Sequence, residues 1–364
     1  MKEPLTDRSL LGSASRLVVK VGSSSLTLSD GSLNLEALSY LAGQLIEARG
    51  RGQQVVLVSS GARAAGTRPL GLNGRPREVR LQQAAAMVGQ SRLMAAYERE
   101  FGRAGTTIGQ VLLTVSDVVD RRQYANAQES LSCLLDLGII PIVNENDAVV
   151  TEELRFGDND RLAALTAHLV AADALILLTD VDGLYTAPPK VPGARLIEEV
   201  SQPGDLGSLR ITGRGSDFGT GGMRTKVDAA RLATSGGVPA LLTAADRLGD
   251  ALRGERVGTW FEATGVRTSA RKLWIEHAAQ VCGQIVVDDG AAAALRRGGA
   301  SLLHVGVTGF EGRFDVGELV EIVDEPGGVV ARGLAGYSSE QLGSPDARFP
   351  RPVVHLNDLV LVGR

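Results

Sequence analysis

Residues 16–25 read RLVVKVGSSS. An apolar, β-branched run, interrupted only by Lys20, stops at Gly22 and opens into three serines, Ser23 to Ser25. A strand buried on both faces reads this way, as a near-continuous hydrophobic run with no alternation. Three more stretches repeat the design: QQVVLVSSG (53–61), GIIPIVNEND (138–147) and ALILLTDVDG (174–183) are apolar and then break into Ser, Gly, Asn or Asp. Between them lie segments such as LEALSYLAGQLIEARG (35–50) and DRLAALTAHLVAAD (160–173), whose apolar spacing suits helices packed on a sheet. The expected fold is α/β, an open, mainly parallel sheet sandwiched by helices.

The texture changes after EATGVRTSAR (262–271), a polar, linker-like stretch. Beyond it come short strand-like runs with Gly and Asp turns, as in SLLHVGVTGFEGRFDVGELVEIV. The expected organisation is a loose N-terminal tail (1–15), an α/β domain (16–261), a linker (262–270) and a small β-rich domain (271–364). With 364 residues, 44% hydrophobic and 22% charged, the chain has material for a sizeable core in each. A net charge of −4 provides no general field for nucleic acid or an anionic membrane, so any anion site must be local. Cys133 and Cys282 stand far apart with no C-x-x-C, which points to a reducing, cytoplasmic setting without a disulfide framework or zinc site. The polar start lacks the apolar core of a signal peptide, and no apolar run reaches membrane-spanning length.

Ligands of open parallel sheets gather outside the carboxyl ends of the strands. Lys20 sets an ammonium beside the Gly22–Ser25 turn, suited to a phosphate, although a lysine snorkelling at a strand edge is an equally open reading. Ser59, Ser60 and Gly61 sit where a helix begins and offer hydroxyls and N–H groups to a carboxylate or phosphate. NEND (144–147) and GDND (157–160) bring acidic groups to the same edge, and helix capping accounts for part of that pattern. Thr179 and Asp180 follow the fourth run and suit a nucleotide's oxygens or a simple turn. GTGGMRTK (219–226) has the glycines of a phosphate cradle, but three residues separate its last glycine from Lys226, so it is no Walker motif. His168, His277, His304 and His355 are scattered, and no residue is directly assigned as a metal ligand.

Taken in order, KVGSS, SSGARAAG, NEND, GDND, LTDVDGLY and GTGGMRTK resemble the amino acid kinase family over residues 16–260, and the C-terminal region is similar to a PUA domain. This combination resembles the members that phosphorylate glutamate more than those acting on acetylglutamate, aspartate or uridylate. The resemblance implies transfer of the ATP γ-phosphoryl group to the side-chain carboxylate of L-glutamate, the first step of proline biosynthesis, with ATP and Mg²⁺ as cofactors. It makes Lys20 and Lys226 the catalytic phosphate-binding lysines, oriented by Asp160 and Asp158. It assigns glutamate binding to Ser60, Asp147 and Asn159, with Asp147 facing the substrate ammonium. The ATP site would comprise Lys20, Thr179, Asp180, Thr220, Gly221, Gly222, Met223, Arg224, Thr225 and Lys226. It further implies a homo-oligomer, feedback inhibition by proline and functional coupling to glutamyl phosphate reductase. A glutamate side chain, with a reference pKa of about 4.3, is already ionised near neutral pH, so such a nucleophile needs no catalytic base.

Two departures stand out. Arg63 occupies a position that is commonly apolar in the family, and the segment GSPDARFPRP after YSSEQL is shorter than the helical stretch of related chains. PUA-like domains are similar to RNA-binding modules, but residues 271–364 carry nine Lys and Arg against twelve Asp and Glu. That balance argues against RNA as a partner, leaving a local patch of Arg271, Lys272, Arg296 and Arg297 as the place where RNA could still dock.

Overall fold

The apolar runs form the centre of an eight-stranded sheet. The computed structural model describes residues 4–28, 30–72, 74, 76, 78–149, 159–201, 222–264, 270–277, 281–344 and 348–362, in two units divided between Ser269 and Ala270. The first unit contains β1 (Arg16–Val21), β2 (Gln54–Ser59), β3 (Ile108–Leu113), β4 (Ile140–Glu145), β5 (Ala174–Thr179), β6 (Leu184–Tyr185), β7 (Leu196–Ile197), β8 (Glu199–Val200), β9 (Ala240–Ala244) and β10 (Thr259–Phe261). Its main sheet has the order β3-β4-β2-β1-β5-β9-β10-β8. Neighbours from β3 to β9 are parallel, β10 runs antiparallel to β9, and β6 pairs with β7 in a separate ribbon.

The chain passes from β1 to β2 on one side and returns to β5 on the other, so strand order reverses at β1. Open α/β sheets bind ligands in the crevice at such a reversal. Along β1 the side chains alternate between faces. Leu17, Val19 and Val21 join Leu57, Ile142, Ile176 and Leu241 in one apolar core. Lys20 therefore shares the opposite face with Val18, where the helix Asn159–Leu169 packs against β1.

The loop after β2 is fixed by backbone contact. Gly61 turns with φ +103°, a left-handed conformation open to glycine, and the helix Ala62–Thr67 follows. That helix lies directly on the helix Val79–Gly102: a Cβ at Gly66 would fall 1.8 Å from the Ala85 carbonyl oxygen, and one at Gly89 would fall 1.7 Å from that of Ala62. No side chain fits there.

The N-terminal segment differs from the sequence expectation of a loose tail. Residues Arg8–Ser13 form a 3-10 helix capped by Asp7, and Leu11 is fully buried. Arg8 is also buried, and its guanidinium donates to the carbonyls of Val257, Gly258 and Glu198. The reason lies 250 residues away, beyond the reach of a local pattern.

The second unit holds β11 (Gly283–Val287), β12 (Val307–Gly312), β13 (Leu319–Asp324), β14 (Val329–Leu334) and β15 (Leu359–Leu361), ordered β12-β11-β13-β14-β15. Its core gathers Ile285, Val287, Leu295, Leu302, Phe314, Val320, Ile322, Val330 and Val353. Aromatic residues dispersed in sequence meet here: His304 stacks on Phe349 with centroids 3.6 Å apart, and Tyr337 meets Phe349 edge-on. Of the basic patch, Arg296 is committed to Asp324 at 2.5 Å. The helix Ser339–Leu342, with a capping box from Ser338 and Gln341, lies within YSSEQL itself, and residues 345–347 of the short segment after it lie outside the described residues.

Gly89→Ala is expected to push the two helices apart, at a cost of about 1–3 kcal/mol or more. Thermal unfolding would register it as a lowered Tm, whereas a glycine with open space around it, such as Gly43, would tolerate alanine with little change.

Candidate active site

Three charged side chains converge where β1 ends. Asp160 enters in the first turn of the helix Asn159–Leu169 and has no exposed surface. Its Oδ1 lies 2.5 Å from Lys20 Nζ, and its Oδ2 accepts from Lys226 Nζ at 3.3 Å and from Thr225 Oγ1 at 2.8 Å. Lys20 and Lys226 are themselves buried. Burial alone would push the Asp160 carboxyl up; the two ammonium groups and the hydrogen bonds from Lys20 and Thr225 outweigh it and hold the pKa below the usual carboxylate value.

Lys226 and Thr225 belong to the opening turn of the helix Met223–Ser235. Its N-cap is Gly222, whose extended backbone lacks a capping side chain, and the Gly222 carbonyl, 2.9 Å from Thr225 Oγ1, is the alternative acceptor for that hydroxyl. The first N–H groups of a helix have no intrahelical partner, and such a helix start beside two lysines is a ready anion site. Met223 is half-buried there, and Arg224 is exposed with a distant pairing to Asp228. Thr220 and Gly221, together with Asp158, lie outside the described residues.

At the end of β5, Thr179 is buried and donates to Asp180 at 3.0 Å. Both line a cavity of about 490 Å³ with Ser24, Ser25, Tyr40 and Asp246, on the carboxyl side of β1, β5 and β9. A nucleotide's polar groups suit this lining.

A second network stands on the other side of Lys20. Asn159 Nδ2 donates to Ser60 Oγ at 3.0 Å, to the Ser59 carbonyl at 3.2 Å and to Asn144 Oδ1 at 2.9 Å. Asn144 in turn donates to Gln90 Oε1 at 2.9 Å, and Ser59 bonds the buried Tyr97 hydroxyl at 2.8 Å. Burial raises the Tyr97 pKa, so this hydroxyl stays protonated and serves as structure. Asp147, in the turn after β4, is buried and faces Arg63, with Nε to Oδ2 at 3.8 Å.

The geometry thus brings Lys20, Lys226 and Asp160 into one cluster and Ser60 and Asn159 into another, with Asp147 paired to Arg63. Asn144, Gln90 and Tyr97 extend the second network and were absent from the sequence assignment. Asn144 opens the NEND motif and was readable there; Gln90 and Tyr97 sit on a helix whose pattern marks only packing. Among the described residues, no three His, Cys, Asp or Glu side chains gather as a metal cage.

The sequence matches the amino acid kinase family over residues 15–244 and the PUA domain over 283–348. The chain belongs to the amino acid kinase family. Within it, the glutamate 5-kinase of Bifidobacterium animalis subsp. lactis is 51% identical over 368 residues, covering 98% of each chain. The glutamate 5-kinases of Frankia casuarinae and Streptomyces coelicolor are 50% and 48% identical, again over 98% of this chain. Likeness at this level along both units places this amino acid kinase among the glutamate 5-kinases.

A carboxylate with a depressed folded pKa stabilises the fold above its unfolded value of about 3.9, and that contribution is lost as pH falls through the folded value. Asp160→Asn is expected to cost about 3–5 kcal/mol near neutral pH, because two buried ammonium groups lose their counter-charge. Denaturant midpoints measured from about pH 5 downward should then fall less steeply in the variant than in the unaltered protein.

Proposed function

We propose that this site transfers the γ-phosphoryl group of ATP to the side-chain carboxylate of L-glutamate, forming γ-glutamyl phosphate and ADP. The observation that supports it most is the pair Lys20 and Lys226 on one buried Asp160, set between a cavity for a nucleotide and a polar network for an acceptor.

A carboxylate oxygen of glutamate attacks the γ-phosphorus, the new O–P bond forms as the bond to the ADP oxygen breaks, and the electron pair leaves with ADP. Such transfers depend on alignment and on stabilising the charge of the moving group, more than on proton chemistry. Lys20 approaches from β1 and Lys226 from the helix Met223–Ser235, so the two ammonium groups contact the transferred phosphoryl from different segments. Asp160 fixes both positions in advance, which removes reorganisation from the barrier. The N–H groups at Gly222–Lys226 and the Thr179–Asp180 corner hold the nucleotide, while Ser60, Asn159 and Asp147 hold glutamate. Mg²⁺ would arrive with ATP, coordinated mainly through phosphate oxygens and water, and would neutralise phosphate charge. The oxygens of Asp160 are engaged by Lys20, Lys226 and Thr225, which suits an ion carried by the nucleotide. Asp158, Thr220 and Gly221 complete the two subsites in this reading. No described helix is long and apolar enough to cross a membrane. A cytoplasmic homo-oligomer that hands an unstable acyl phosphate to a reductase and answers to proline accords with this reading.

Incubation with MgATP and L-glutamate, N-acetylglutamate, aspartate or UMP, with hydroxylamine to trap an acyl phosphate, tests the assignment. γ-Glutamyl hydroxamate from glutamate alone is expected; turnover of another acceptor in its place would overturn the substrate. Lys20→Ala and Lys226→Ala should each lower kcat by about a hundredfold or more, as for loss of a preorganised electrostatic donor. Near-normal turnover in either variant would overturn its role.

A further inference from the structure

We propose that Arg63 determines acceptor specificity by binding the α-carboxylate of the amino acid while Asp147 takes its α-ammonium. The inference rests on the acceptor-side reading given above and goes beyond it, since Ser60, Asp147 and Asn159 leave that carboxylate without a cationic partner.

Arg63 stands in the first turn of the helix Ala62–Thr67, three residues beyond Ser60, and Asp147 lies in the turn after β4. Their side chains are 28% and 9% exposed, so the pair sits at the mouth of the site, with the cation on the solvent side. The separation of 3.8 Å between Nε and Oδ2 exceeds hydrogen-bonding distance. The charges attract, yet the guanidinium keeps its donors, and among the described residues no hydrogen bond occupies them. A guanidinium carries five N–H groups in a planar fork that matches a carboxylate.

The acceptor supplies the complement. An α-amino acid carries its ammonium and α-carboxylate on a single carbon. Once the ammonium meets Asp147, the carboxylate must lie within a few ångströms, on whichever side offers a cation. Lys20 and Lys226 are drawn to Asp160 at the reacting end, whereas Arg63 faces Asp147. The Gly66–Gly89 backbone contact holds the helix in place, so the guanidinium is presented from a rigid base.

The test compares L-glutamate with its α-amide, which keeps the ammonium and side-chain carboxylate but replaces the α-carboxylate by a neutral group. The unaltered protein should prefer glutamate in kcat/KM. In Arg63→Met, which retains a linear apolar stem, glutamate KM should rise roughly 10- to 100-fold with kcat largely kept, the loss expected for a charge-assisted hydrogen bond. Preference over the α-amide should shrink by the same factor, and Arg63→Lys should restore part of it. Equal losses for both acceptors would make Arg63 a structural support and overturn the inference. A lower glutamate KM in Arg63→Met would also overturn it, showing that Arg63 competes with the substrate ammonium for Asp147. Absence of glutamyl hydroxamate from the unaltered protein would remove the acceptor reading and this inference with it. Circular dichroism and Tm of both variants establish that they fold.

Discussion

The Asp160 carboxylate has no exposed surface and must nevertheless stay ionised between two lysines. An unpaired charge in that position would cost far more than the fold can spare, so the elements carrying the three groups have to converge. β1 must present Lys20 to the face opposite the main apolar core, the helix Asn159–Leu169 must begin at the carboxyl edge of the sheet, and the helix Met223–Ser235 must begin beside it. Two ammonium groups thus stand together on one carboxylate at the point where the strand order reverses. Phosphate chemistry then uses what the burial of Asp160 already requires.

Asn159 and Asp160 are adjacent, and successive helix positions point about 100° apart. One therefore reaches Ser60 and Asn144 while the other reaches the lysines. A single helical turn links the Ser60–Asn144 network to the lysine pair, so the two cannot drift independently. A rigid scaffold preorganises its polar groups in this way, through side chains whose positions are locked by packing and by one another.

The buried strands were legible because parallel strands covered on both faces leave an unbroken apolar record: the runs at 16–22, 53–61, 138–147 and 174–183 contain β1, β2, β4 and β5. The helix Leu35–Gly50 coincides with its amphipathic segment. β3 carries no comparable signal, since it is an edge strand and partly exposed. Lys20, Asp160 and Lys226, which the structure brings together, stand near a strand end or a helix start, where motif and position single them out in the sequence. Gln90, Tyr97 and Arg8 could not be singled out, because their partners are set by tertiary contact and their own surroundings in sequence look like ordinary packing or tail.

Arg8 also bears on how the molecule is made. Its guanidinium caps the carbonyls of Val257 and Gly258, at separations of 249 and 250 residues. Contacts so distant in sequence cannot form until nearly the whole first unit has been synthesised. At roughly 5–20 residues per second, the chain carries its first helical turn for about 10–50 s before the partners exist. During that interval Arg8 lacks the Val257 and Gly258 carbonyls, whereas much of the core around Leu11, including Leu38, Leu41 and Leu45, is already made. The Arg8 contact therefore ties together two stretches made far apart in time, and the edge it supports gains that tie only once residues 257 and 258 exist.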